Sequence, residues 1–75
     1  MTATTYRRAT TGWESLTPTE RSVVEVLLDG GTNRVIGDRL GVSRRTVETH
    51  LAHVFLKLGV DSRVSLATQA ARRGM

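Results

Sequence analysis

The sequence predicts an all-α fold of four helices, and three observations carry that expectation. Apolar residues recur at helical spacing, as in Val23, Val24, Leu27 and Leu28, and again in Val47, Leu51, Val54, Phe55 and Leu58. A side chain able to cap a helix precedes each predicted helix: Thr17, Thr32, Ser43, and Asp61 or Ser62. Glycines close the first three helices at Gly30 and Gly31, Gly41 and Gly59.

Residues 1–15 are rich in threonine and show no helical period, so they read as a linker or flexible arm ahead of a domain spanning 16–75. Tyr6 and Trp13 stand out within them. Trp13 is expected to be a hydrophobic lid over the first helix, because large aromatics usually earn their place by burial. The first helix follows Thr17. Pro18 suits its first position, and Glu20 completes a T-x-x-E capping box. The second helix follows Thr32, with Val35, Ile36 and Leu40 expected to face inward. Gly37 costs a helix interior about 1 kcal/mol relative to alanine. A close crossing by the third helix would explain it. In "GVS", Gly41 can take a left-handed backbone, Val42 can bury itself and Ser43 can cap the third helix. Two short helices joined this way form a helix-turn-helix.

The third helix is expected from about Arg44 to Leu58. At about 100° per residue, Val47, Leu51, Val54, Phe55 and Leu58 share one side. Arg45, Glu48, Thr49, Ala52, His53 and Leu56 fall on the other. The fourth helix lies within "DSRVSLATQAARR", and Arg72 and Arg73 in its last turn suit the helix dipole.

The chain has 75 residues, enough for one small domain. Eleven Lys and Arg against seven Asp and Glu give a net charge of +4. That balance favours anionic partners, nucleic acid first and an acidic membrane surface second. The absence of cysteine excludes disulfides and thiolate metal sites. No apolar run has the length of a membrane span or the pattern of a signal peptide, so a soluble cytoplasmic protein without membrane contact is expected. Catalysis is not expected, nor any cofactor. There is no glycine-rich phosphate loop and no serine or cysteine nucleophile arrangement. Glu48, His50 and His53 are a poor metal site, because the histidines are three apart and Glu48 points elsewhere on the wheel.

The segments "LTPTE", "TNRVIGDRLGVSRRTVETHLAHVFLKLGV" and "SRVSLATQA" resemble the C-terminal DNA-binding domain of LuxR-type (GerE-like) transcriptional regulators, over about residues 14 to 74. The resemblance implies a four-helix bundle whose second and third helices form the helix-turn-helix. It implies that the third helix enters the major groove of double-stranded DNA and that the fourth pairs two copies on DNA. It also implies an upstream regulatory domain in a longer parent.

On that reading Arg44 and Arg45, with Ser43 and Thr46 beside them, sit at the end of the helix that approaches DNA first, where backbone N–H groups also favour anions. Arg45 is expected on a phosphate or a base. Thr32, Asn33 and Arg34 are expected on the DNA backbone, because the N-terminus of the second helix crosses it in this geometry. Lys57, Arg63, His50 and His53 are further phosphate candidates, His50 alternatively being a partly buried histidine bonded within the bundle. Glu48 can accept from the cytosine amino group, and Thr49 can touch a thymine methyl. The competing role for Glu48 is a pair with Arg44 or Arg45. Ala52 completes the groove-facing set. Val64, Thr68 and Ala71 form the expected dimer stripe.

Some positions depart from the family pattern. Ala52 and Leu56 stand where relatives commonly carry basic or polar residues, which removes electrostatic grip. Val35 replaces an acidic residue, so the second helix lacks a capping box. Thr68 weakens the apolar stripe of the fourth helix. A promoter-binding domain like region 4 of sigma factors would share "LTPTE" and "SRRTV", but it would end at its recognition helix. An interaction module that has lost DNA binding is the rival from another class.

Overall fold

The computed structural model describes residues 12–74. A 3-10 turn, Trp13–Ser15, leads into four α-helices: α1 (Pro18–Leu28), α2 (Asn33–Leu40), α3 (Arg44–Leu58) and α4 (Arg63–Arg72). No strand occurs among the described residues.

The boundaries follow from caps. The Thr17 hydroxyl accepts from the Glu20 N–H at 3.1 Å, and Glu20 Oε1 accepts from the Thr17 N–H at 2.9 Å, completing the capping box. Thr32, Ser43 and Ser62 cap α2, α3 and α4 by accepting from Val35, Thr46 and Ser65 respectively. Of the two cap candidates for α4, it is Ser62 that caps; Asp61 accepts from the Ser65 hydroxyl instead. α2 ends at Gly41, whose φ of 70° is a left-handed backbone that a β-carbon would strain. The next N–H, of Val42, donates back to the Gly37 carbonyl at 3.0 Å. The Gly59–Val60 pair repeats this at the end of α3, where the Val60 N–H reaches the Phe55 carbonyl at 3.0 Å.

Four helices and the turn close on one core. Val23, Val24 and Leu27 of α1 meet Ile36 of α2 and Val47, Leu51, Val54 and Leu58 of α3. Leu66 and Ala70 of α4 complete it, with Trp13 and Leu16 at one end. Val35 does not face inward as expected but is 39% exposed. Adjacent residues on a helix diverge by about 100°, and with Ile36 at the centre of the α2 contact Val35 falls at its exposed edge. Gly37 does sit under a close approach, but not from a crossing by the body of α3. A β-carbon there would lie 2.7 Å from the Val42 carbonyl oxygen, so the turn itself folds back onto α2.

Residues 12–15, expected to belong to the arm, pack against the helices. Trp13 is buried, its indole N–H donates to Gln69 Oε1 at 2.7 Å, and the Arg73 guanidinium lies 5.1 Å from its ring centre. The Gly12 N–H donates to the Lys57 carbonyl at 2.7 Å. The lid expected of Trp13 therefore covers α3 and α4, and Arg21 of α1 donates to its carbonyl oxygen. The remainder of the expected arm, residues 1–11 with Tyr6, lies outside the described residues.

Candidate nucleic-acid interface

α3 presents a continuous exposed strip. Arg45, Glu48, Thr49, Ala52 and Leu56 are all exposed, with Arg44 beside the first of them and His53 along the edge. The strip exists because the apolar positions of α3 recur at helical spacing and occupy the opposite side. Leu56 is 81% exposed, the largest value among the exposed large hydrophobic residues.

At the start of the strip the cap sets the geometry. The Ser43 hydroxyl accepts from the Thr46 N–H and lies 2.9 Å from the Thr46 hydroxyl, so both hydroxyls are engaged in the cap. What this end offers an anion is the pair Arg44 and Arg45, together with the early N–H groups of α3 that have no acceptor within the helix. Among the described residues neither arginine has an ion-pair partner. Glu48 likewise pairs with neither Arg44 nor Arg45 and stands free on the surface. The Thr49 hydroxyl donates to the Arg45 carbonyl at 3.3 Å, which turns its methyl group away from that bond.

The N-terminus of α2 supplies a second cluster. Thr32 and Arg34 are exposed and Asn33 is half-buried. Thr32 spends its hydroxyl on the cap.

Two expected phosphate ligands are committed elsewhere. Lys57 turns inward: its Nζ donates to Glu20 Oε1 at 2.7 Å and to the Ser15 carbonyl at 3.1 Å. It lies at the border of the buried side of α3, where a long side chain reaches α1 more readily than solvent. Arg63 spans to α2, donating to Asn33 Oδ1 at 2.9 Å and to the Gly31 carbonyl oxygen. Both side chains are thus engaged within the domain, Lys57 half-buried and Arg63 exposed.

Glu20 is the residue whose importance lies beyond its cap. It is 4% exposed and joins α1, α3 and the 3-10 turn through Lys57. Burial alone would raise its carboxyl, but the hydrogen bond from Lys57, the bond from the Thr17 N–H and the Lys57 charge outweigh this and hold it below the ordinary carboxylate range. His53 Nδ1 lies 4.0 Å from the second Glu20 oxygen. His50 is half-buried and, among the described residues, makes no side-chain hydrogen bond. The capping box points to Glu20, and Lys57 is expected as a phosphate candidate. Only the fold brings Glu20 and Lys57 together.

Among the described residues no helix is long and apolar enough to cross a membrane. The family described as bacterial regulatory proteins, luxR family (GerE), matches residues 14–70. The chain is 57% identical over 68 residues to a Mycobacterium tuberculosis protein named HTH-type transcriptional regulator Rv0890c, covering 91% of this chain and 8% of that protein. It is 40% identical over 60 residues to the response regulatory protein YgeK of Escherichia coli, covering 80% of this chain and 41% of that protein. It is 37% identical over 59 residues to the transcriptional regulatory protein LiaR of Bacillus subtilis, covering 79% and 28%. The chain thus spans well under half the length of these relatives.

Proposed function

The chain belongs to the luxR family of bacterial regulatory proteins, and on that premise we propose that it is the sequence-specific, double-stranded DNA-binding domain of a transcriptional regulator, with α3 in the major groove. The carrying observation is the exposed strip of α3. It opens with two arginines that have no ion-pair partner among the described residues and continues into Glu48 and Thr49, whose outward groups suit base edges. Arg44, Arg45 and Arg34 hold phosphates, aided by the N-terminal N–H groups of α2 and α3. Asn33 adds its amide, and His50 and His53 sit at the groove edge. The domain does no chemistry of its own; its activity is binding.

A second copy pairs through α4 on DNA. Val64 is 76% exposed, and Thr68 and Ala71 follow it on the same edge. This stripe is far smaller than a permanent dimer needs, so the free chain is monomeric or nearly so at micromolar concentration. Sedimentation that finds a tight dimer without DNA would contradict that. In its parent the domain acts in the cytoplasm as the output of a regulatory domain elsewhere in the chain, in line with the response regulatory name of one relative.

Salt-titrated binding to operator and to scrambled DNA tests the reading. Electrostatic binding weakens with a log–log slope of about −0.9 per phosphate contacted. Ala52 and Leu56 in the strip favour one alternative, a protein-interaction surface that has lost DNA. Flat salt dependence would support that alternative. Selection of binding sites from random DNA supplies the operator for the comparison.

A further inference from the structure

Arg63 and Asn33 are thirty positions apart and belong to different helices, yet one hydrogen bond joins their side chains. Arg63 Nη1 donates to Asn33 Oδ1 at 2.9 Å, and Nη2 donates to the Gly31 carbonyl oxygen two residues before it. A guanidinium has donors only, so the asparagine must face Arg63 with its carbonyl oxygen. The other end of the amide, its NH2 group, is thereby turned away from Arg63 with two donors to give. Asn33 is the first residue of α2 and is half-buried. Thr32 takes the Val35 N–H, leaving the N–H groups of Asn33 and Arg34 without an acceptor in the helix. The amide donors, turned from Arg63, thus belong to the same helix end as two backbone donors.

We infer that Arg63 is a positioning residue for DNA binding: it does not hold a phosphate but fixes the Asn33 amide so that its NH2 group does. This rests on the DNA-binding reading above and deepens it. The guanidinium fork matters as much as its charge, because one nitrogen holds the Asn33 oxygen while the other holds the Gly31 carbonyl. A lysine can supply the charge but not both bonds in that fixed plane. The tie has a second consequence. Arg63 immediately precedes Val64, the first residue of the proposed pairing stripe. One side chain therefore links the helix that pairs two copies to the helix end that meets the DNA backbone.

The test is a cycle on the 75-residue chain with Arg63→Lys, Asn33→Ala and the double variant. Affinity for a selected operator is measured across a salt series, and thermal unfolding is followed for each variant. The inference expects Arg63→Lys to bind at least about tenfold more weakly, as Asn33→Ala does, which is the loss of one good hydrogen bond to a charged acceptor. It expects the salt slope of Arg63→Lys to be unchanged, since the charge count is unchanged. It expects the double variant to be little worse than either single one. Retained affinity in Arg63→Lys would overturn it in favour of a direct phosphate contact by the cation. Additive losses in the double variant would overturn it as well, as would losses that merely follow lowered melting temperatures. Failure of the parent chain to bind any DNA sinks the DNA-binding reading itself. In that event the Asn33 side-chain NH2 resonances, compared between parent and Arg63→Lys without DNA, still decide the tie. A shift specific to Asn33 supports it, and no shift overturns it.

Discussion

Leu51 and Leu56 lie on the same helix, five residues apart, and the first is 6% exposed while the second is 81% exposed. Chemically they are one residue type. What separates them is about 140° of the helical wheel, and with it the question each answers. The inner face of α3, with Val47, Leu51, Val54 and Leu58, decides whether the domain folds. The outer face, from Arg45 through Glu48 and Thr49 to Leu56, is the one proposed to decide what the folded domain recognises. An apolar side chain inside is explained by the water it escapes. One outside, on a strip proposed to meet base edges, has no such explanation within the chain. Between the faces runs a flank on which Lys57, with His53 beside it, ties α3 to Glu20 of α1.

The largest effect falls on the inner face. Leu51→Ala is expected to lower stability by about 2–5 kcal/mol, the cost of a cavity that its neighbours only partly fill. Leu56→Ala is expected to stay within about 0.5 kcal/mol of the parent, as surface changes do. Urea unfolding of the two variants measures both. Equal losses would erase the distinction between the faces and mean that Leu56 is covered in solution.

Next in size is the flank. Glu20→Ala removes the carboxylate that Lys57 and the Thr17 N–H share. Breaking a buried pair from one side is costly, and the partial exposure of the Lys57 side chain reduces the penalty, to about 2 kcal/mol. Acid should act similarly on the parent. The Glu20 carboxyl is held below its ordinary value in the folded state. Its contribution is therefore complete above the unfolded-chain value and is lost as pH falls through the folded one. Glu20→Gln should flatten the acid limb of a stability–pH curve. An unchanged limb would show that other carboxylates govern acid unfolding.

The contrast also separates what the sequence reveals from what it conceals. Local chemistry is legible. Thr17 with Glu20, Ser43 with Thr46 and the Gly59–Val60 pair act within a few residues of one another, so the helix bounds follow from short stretches. The α3 range Arg44–Leu58 is visible in this way. The inner face of α3 is legible because burial imposes a period. Long-range pairing is not. Lys57 and Arg63 look like free cations until the fold supplies Glu20, 37 positions away, and Asn33, 30 positions away. The Trp13 turn is too short to show a period, and its partners Gln69 and Arg73 lie at the other end of the chain. Val35 misleads because Val23 and Val24 show that adjacent apolar residues can both be buried, and only the packing of α2 decides that Ile36 alone of its pair is. The sharpest part of the candidate site, the outward strip of α3, is legible as the complement of the core. The supports beneath it are not.

A smaller effect is expected on the outer face at Arg45. Arg45→Ala should leave the melting temperature unchanged and weaken binding to operator and scrambled DNA alike, by roughly 1.5 kcal/mol at low salt. The salt slope should become shallower by about 1. A loss confined to the operator would move Arg45 from phosphate to base. No loss and no change of slope would remove it from the interface.

The smallest effect is the most diagnostic, because it concerns preference and not grip. Glu48 is exposed, has no ion-pair partner among the described residues and sits one turn beyond Arg44 and Arg45. Ionised, it can only accept, so it suits the cytosine amino group and opposes the acceptor edge of guanine. A single such bond lies at the low end of base readout, about 1 kcal/mol of discrimination. Near phosphates its charge also repels. Glu48→Ala should therefore narrow the gap between operator and scrambled DNA while non-specific binding holds steady or improves. If both affinities fall together, Glu48 supports the shape of α3 and the boundary between inner and outer face is misplaced. If neither changes, the carboxylate is only a solvated residue and the reading must come from Thr49 and its neighbours. A closing gap with undiminished non-specific binding is the one outcome that fits an outer face whose work is choice of sequence.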